Sequence, residues 1–141
     1  MSTLFTKIIR GEIPGRFVWR DDSVVAFLTI NPITPGHTLV VPVEEVDHWL
    51  DLPTATAQRC MAVAQAIGRA QMTAFSHRRI GMIIAGLEVP HTHLHLIPID
   101  TEGDLSFANA DPSPDPSALD DAAGALRAAL RTAGHGEVAE A

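Results

Sequence analysis

Apolar and polar positions along the chain mark out short strands and a few helices. From Thr3 to Arg10, Leu4, Phe5 and Ile8 recur on one stripe of a helix, and Gly11 stops it. Phe17-Val18-Trp19 and Val24-Val25-Ala26-Phe27-Leu28 read as two strands, with Asp21-Asp22-Ser23 turning the chain between them. Asn31-Pro32-Ile33-Thr34-Pro35-Gly36 is a stiff loop whose prolines fix φ and whose glycine frees it. A third strand runs from His37 to Val41 and ends at Pro42. Val43 to Leu50 is expected to form a short helix, and the Ala-, Gln- and Met-rich stretch from Thr54 to Phe75 a long one. Ile80 to Ala85 and Val89 to Ile99 are the last two strands. Ala118 to Ala133 is a further helix, and the tail after Gly134 is expected to fray. Antiparallel strands with segregated helices give an α+β fold. The expected sheet has about five strands with helices on one side, and pairing of two copies into a homodimer is plausible.

The last of these strands carries His91-Thr92-His93-Leu94-His95-Leu96-Ile97. Residues i, i+2 and i+4 of a strand share a face, so this spacing predicts three imidazoles in one row. Three readings are open on the residues alone. The row could be structural, with each ring satisfied by backbone, although burying polar rings side by side is costly without partners. It could bind zinc, since His-x-His on a strand is a known ligand spacing. Or it could carry nucleophilic catalysis at phosphorus, where a neutral imidazole attacks and its neighbours fix tautomers and move protons. His48, His77 and His135 lie among polar residues or in the tail and read as surface histidines.

Composition narrows the setting. A length of 141 residues suits one domain with a proper core. A net charge of -7 argues against nucleic acid as a general partner, because its phosphates would be repelled. No stretch approaches the roughly 18 apolar residues of a membrane span, so no membrane association is expected. The single cysteine, Cys60, leaves no internal disulfide, which fits a reducing compartment and makes a cytoplasmic location the expectation.

The histidine motif resembles that of the histidine triad (HIT) superfamily, and two further blocks extend the likeness to its HINT-like branch. One is Thr3-Leu4-Phe5-Thr6-Lys7-Ile8-Ile9-Arg10-Gly11-Glu12-Ile13-Pro14. The other runs from Ala26 through Asn31-Pro32 and Pro35-Gly36-His37 to Pro42. The resemblance covers Thr3 to Ile99 in order. It implies a HIT-like domain over 1–105; the prolines beyond it mark a linker over 106–117, and the pattern after them a C-terminal helix and tail over 118–141.

By that resemblance the protein hydrolyses or transfers nucleotides at the α-phosphate, through a covalent nucleotidyl-histidine, with no metal or other cofactor. Its partner would be a purine nucleotide or nucleotide conjugate. Carried over by position, His93 is the nucleophile, His91 offers its backbone carbonyl to the ring of His93, His95 contacts phosphate oxygens, and His37 supports the site. Leu4, Phe5, Ile8 and Phe27 would hold the base while also serving as core. Thr29, Ile30 and Asn31 would face the ribose, and Glu88 and Val89 the phosphate end. A nucleotide-binding module with little catalysis and a zinc hydrolase on the same histidines remain the alternatives.

Several positions depart from the pattern. Thr29 stands where many relatives have a ribose-binding aspartate. Glu88 stands where many have Ser or Thr, Leu87 replaces a frequent glutamine, and the loop before the triad is short. Thr3 and Thr6 stand at the cysteine positions of a structural zinc that many bacterial members bind, and Glu45 at a histidine ligand, so that zinc is expected to be absent.

Overall fold

The computed structural model describes residues 2–140. Helix α1 (Leu4–Ile9) begins at Thr3, whose hydroxyl accepts from the Thr6 N–H and caps it. Strands β1 (Phe17–Arg20) and β2 (Val24–Leu28) form a hairpin. Asp21 holds its turn by accepting from the Ser23 and Val24 N–H groups, both at 2.8 Å. Strand β3 (Thr38–Pro42) pairs with β2, and the 21-residue helix α2 (Thr54–Ala74) crosses over to β4 (Arg79–Ile83) and β5 (Leu94–Ile99). Helix α3 (Pro116–Thr132) closes the chain, capped by Asp115 with Pro116 at its first position.

The five strands form one antiparallel sheet in the order β1-β2-β3-β5-β4. Strand β2 is buried on both faces, which explains its unbroken apolar run. Val24, Ala26 and Leu28 join Val40, Leu94 and Leu96 beneath α2 and α3, with Ile67, Leu126 and Leu130. Val25 and Phe27 join Leu39 and Val41 on the opposite face, against Phe5, Ile8 and Phe17. The two long helices therefore share one side of the sheet, as expected, and the short α1 covers part of the other.

Three local expectations need correction. Residues 43–50 form no helix, only a 3₁₀ turn over Trp49–Asp51. Their backbone is engaged elsewhere: Val43 N–H donates to Ser23, and the Val46 carbonyl accepts from both the N–H and the hydroxyl of Thr92. The last strand begins at Leu94 rather than Val89. Pro90 brings no N–H, and Thr92 turns to Val46, so neither can extend the β3–β5 ladder. The tail is not frayed through Ala139. Arg20 N–H donates to Glu137, Ala139 N–H donates to Val18, and Val138 bridges Trp19, which covers the β1 edge. Among the described residues no helix is long and apolar enough to cross a membrane.

Candidate active site

The histidines separate into two environments rather than one row. Only His95 lies within β5, opposite Leu39, and so faces the α1 side of the sheet. His91 and His93 precede the strand. The His93 and His95 rings meet edge to face at 4.8 Å between centroids, and His37 packs against His95 at 5.2 Å. His91 is fully buried and turned away, toward α1 and the end of β3. His37 follows Gly36, whose φ of +89° turns the Pro-rich loop into β3.

Hydrogen bonds define the tautomers. The His91 carbonyl can only accept, so His93 Nδ1 carries the proton of their 2.7 Å bond and leaves Nε2 with a free lone pair. The Ile33 N–H donates to His37 Nδ1 at 3.0 Å, so His37 carries its proton on Nε2 and donates to His95 Nδ1 at 2.9 Å. His95 must then hold its proton on Nε2. A bare imidazole nitrogen on His93 thus stands beside an N–H donor on His95.

These assignments need neutral rings, and burial supplies that condition. Desolvation pushes His37 down to about 3, with the neighbouring His95 adding to it. Burial, then the proximity of His93, lowers His95 to about 4. His93 is lowered by burial, partly opposed by its bond to the His91 carbonyl.

The three rings open into a groove of about 1170 Å³, somewhat larger than the usual small-molecule site. Leu4, Phe5, Ile8 and Phe27 form its apolar wall. Phe5 stands 4.8 Å from the His93 ring and 5.6 Å from Phe27, so it is both core and wall. Thr29, Ile30, Asn31, Glu88 and Val89 also line it, whereas His91 does not. Thr29 Oγ1 accepts from the Asn31 N–H at 3.3 Å, Ile30 is largely exposed, and Glu88 is exposed at the rim.

The segment over 106–117 contributes more than pattern suggested. Phe107, Ala110 and Pro112 line the groove, and the Phe107 ring lies 5.0 Å from His95. Asp111 fastens this segment to the Asn31 loop, donating its N–H to the Pro32 carbonyl and accepting from the Asn31 amide. The signal was one large aromatic in a polar, Pro-rich stretch. Arg16, also in the groove wall, is held by Asp120 at 2.7 Å.

Zinc does not fit either position that sequence raised for it. Both His91 nitrogens are occupied, Nδ1 at 2.8 Å from the Thr3 hydroxyl and Nε2 at 2.8 Å from the Pro42 carbonyl, so the triad cannot converge on one ion. Beside α1, Thr3 and Thr6 present neutral hydroxyls already bonded to His91 and Glu45, in place of the thiolates and imidazoles that zinc prefers. Glu45 is stabilised as a carboxylate at about 2, first by the Thr3 N–H and then by the Thr6 hydroxyl. No group of three or more His, Cys, Asp or Glu that could hold a metal occurs among the described residues.

Known proteins resemble this chain in sequence and architecture. Residues 10–102 match the HIT domain. An uncharacterised HIT-like protein of Borreliella burgdorferi is 39% identical over 102 residues, covering 67% of this chain and 73% of the relative. A purine nucleoside phosphoramidase of Escherichia coli K12 is 37% identical over 102 residues, covering 68% and 86%. A zinc-bound histidine triad protein of Mycobacterium smegmatis superposes with a TM-score of 0.80 at 31% identity, covering 94% of this chain and 96% of the other. A Hit-like protein of Bartonella henselae gives 0.78 at 35%, covering 91% and 96%. The protein belongs to the HIT domain family.

Proposed function

We propose that the protein is a nucleoside phosphoramidase that forms a covalent nucleotidyl-His93 intermediate without a metal. The observation that carries this reading is the fixed tautomer set, with a bare Nε2 on His93 beside a donor on His95. The lone pair of His93 Nε2 attacks the α-phosphorus, the P–N bond of the substrate breaks, and the departing amine is protonated from solvent. Attack makes the His93 ring cationic. Its Nδ1–H bond to the His91 carbonyl strengthens as that charge develops, so it favours the transition state over the ground state. His95 Nε2–H donates to a phosphate oxygen, and His37 holds the His95 ring in that tautomer. Water then attacks phosphorus and the P–Nε2 bond breaks, releasing the nucleoside monophosphate and restoring His93.

A purine fits the apolar wall of Phe5, Ile8 and Phe27, with the ribose toward Thr29 and Asn31. Among the described residues that line the groove, the one cationic side chain, Arg16, is already paired with Asp120, and Glu88 stands at the rim. That balance favours a phosphoramidate with a short or cationic leaving group over a polyphosphate. The kinship with the E. coli phosphoramidase points the same way. The setting is the cytoplasm, consistent with the one reduced, buried cysteine.

Replacing His93 with Ala lowers turnover of adenosine 5′-phosphoramidate by about a thousandfold or more, as for loss of a nucleophile, and leaves the circular dichroism spectrum unchanged. Wild-type rates in that variant would contradict the reading. Thr29 and Glu88, which leave the ribose and phosphate ends without their usual groups, favour one alternative, a binding module. Calorimetric binding of AMP by a wild-type protein that turns nothing over would establish it.

A homodimer belongs to the same proposal. Strand β4 is a half-exposed edge, and Met61, Met72 and Met82 expose apolar surface beside it. Light scattering should give twice the chain mass, and Met82→Lys should halve it. A wild-type monomer at micromolar concentration would exclude the dimer.

A further inference from the structure

A chain of hydrogen bonds reaches the reacting histidine from the surface, through residues outside the groove except where α1 borders it. Glu45 Oε1 accepts from the Thr6 hydroxyl and the Thr3 N–H, both at 2.7 Å. A carboxylate donates nothing, so the single Thr6 hydroxyl proton is committed to Glu45. The Thr3 hydroxyl, which also caps α1, is then left to donate to His91 Nδ1 at 2.8 Å. His91 Nε2–H donates onward to the Pro42 carbonyl at 2.8 Å. The ring is thus held at both nitrogens, in one tautomer and one orientation, between α1 and the end of β3.

The next residue is fixed from the same side. Thr92 donates its N–H at 2.7 Å and its hydroxyl at 2.8 Å to the Val46 carbonyl, one residue beyond Glu45. The segment 42–46 therefore grips the histidine loop at the His91 ring, at Thr92 and, through the threonines, at α1. Between the gripped ring and Thr92 lies the His91 carbonyl, the acceptor for His93 Nδ1–H.

We propose that Thr3, Thr6 and Glu45 form a metal-free clasp that fixes the His91 ring and, through the His91 carbonyl, positions His93 for attack. This places the clasp where the family resemblance implies a zinc site in other members, and it lets hydrogen bonds do the tethering. The three residues touch no substrate, so they are positioning residues. The inference rests on the proposed role of His93.

The test combines histidine ¹⁵N NMR with steady-state kinetics on the whole protein. In the wild type His91 should report a single Nε2–H tautomer, and protein purified without added metal should carry no stoichiometric zinc. Thr3→Val should move the His91 Nδ1 resonance to that of an unbonded lone pair, with Nε2–H still held by the Pro42 carbonyl, and lower kcat for adenosine 5′-phosphoramidate by about five- to tenfold, the worth of one hydrogen bond, with KM unchanged. Thr3→Ser should restore both. Glu45→Ala, which leaves the α1 cap intact, should shift the His91 Nδ1 resonance and kcat in the same direction as Thr3→Val.

An unchanged His91 signal and kcat in both Thr3→Val and Glu45→Ala would overturn the clasp. So would an effect on kcat confined to Thr3→Val with the His91 Nδ1 resonance unmoved, which is loss of a helix cap. Stoichiometric zinc, removed by a chelator together with the His91 signal, would also overturn it. If the wild type fails to turn over phosphoramidate, the hydrolytic reading fails, and the His91 Nδ1 measurement still decides the clasp.

Discussion

His37, His93 and His95 work as neutral rings because the fold takes them out of water, and that has a consequence for pH. The unfolded chain protonates its histidines near 6.5, whereas His95 and His37 resist protonation until about 4 and about 3. Between these limits the unfolded state binds more protons than the native one, so stability rises with pH across the window. The contribution is fully present above about 6.5 and is lost as pH falls toward 4 and then 3. Melting temperature should therefore fall steadily over that range, and replacing His37 with Asn should flatten the fall. Activity should stay level from pH 8 to about 6.5 and decline only below the ordinary histidine value, because a protonated His93 has no lone pair to attack with. A bell centred on 6.5 in kcat/KM would contradict the depressed values. The identities of these rings were legible in sequence. Their tautomers were not, because those depend on the Ile33 N–H and the His91 carbonyl, which no spacing rule places.

The loops between elements set the chemistry as much as the strands do. Strict alternation of His91, His93 and His95 predicted one wall of imidazoles, yet Thr92 bonds to Val46 and Pro90 cannot join a ladder, so the strand starts three residues after His91. That single difference separates a tethered ring, His91, from two that face the groove. The expected helix over 43–50 failed for the same reason, since its carbonyls and N–H groups serve the hairpin and the histidine loop. The strands from Phe17 to Pro42 and the long α2 were legible because their apolar runs are buried whatever the loops do. Gly36 gives a test at this scale. Its φ is +89°, and an added Cβ would fall 2.3 Å from the Phe75 ring. Gly36→Ala should cost about 2–4 kcal/mol in denaturant unfolding, combining left-handed strain with a clash in packed surroundings. It should also lower kcat by displacing His37. A loss under about 0.5 kcal/mol, the range of neutral surface changes, would show that the loop relaxes freely.

At the scale of the whole molecule, the sheet separates stability from chemistry. One face buries α2 and α3 over Val24, Ala26, Val40 and Leu94, and the other leaves a groove between α1, the histidine loop and the Phe107 segment. Helix α3 lies outside the matched HIT region of 10–102, yet Leu126 and Leu130 are fully buried in the main core. The helix itself was readable in sequence, but its docking site on α2 and β1 was not, since it joins distant positions, as where Arg127 donates to the Phe17 carbonyl. The proposed function turns on the covalent step at His93. Rapid acid-free quenching of the protein with adenosine 5′-phosphoramidate, followed by peptide mass spectrometry, tests it most directly. One adenylyl group should appear on the peptide carrying His93, formed within a turnover, and should be absent in His93→Ala. Turnover at the full rate with no adenylylated peptide, or the group on another residue, would contradict it.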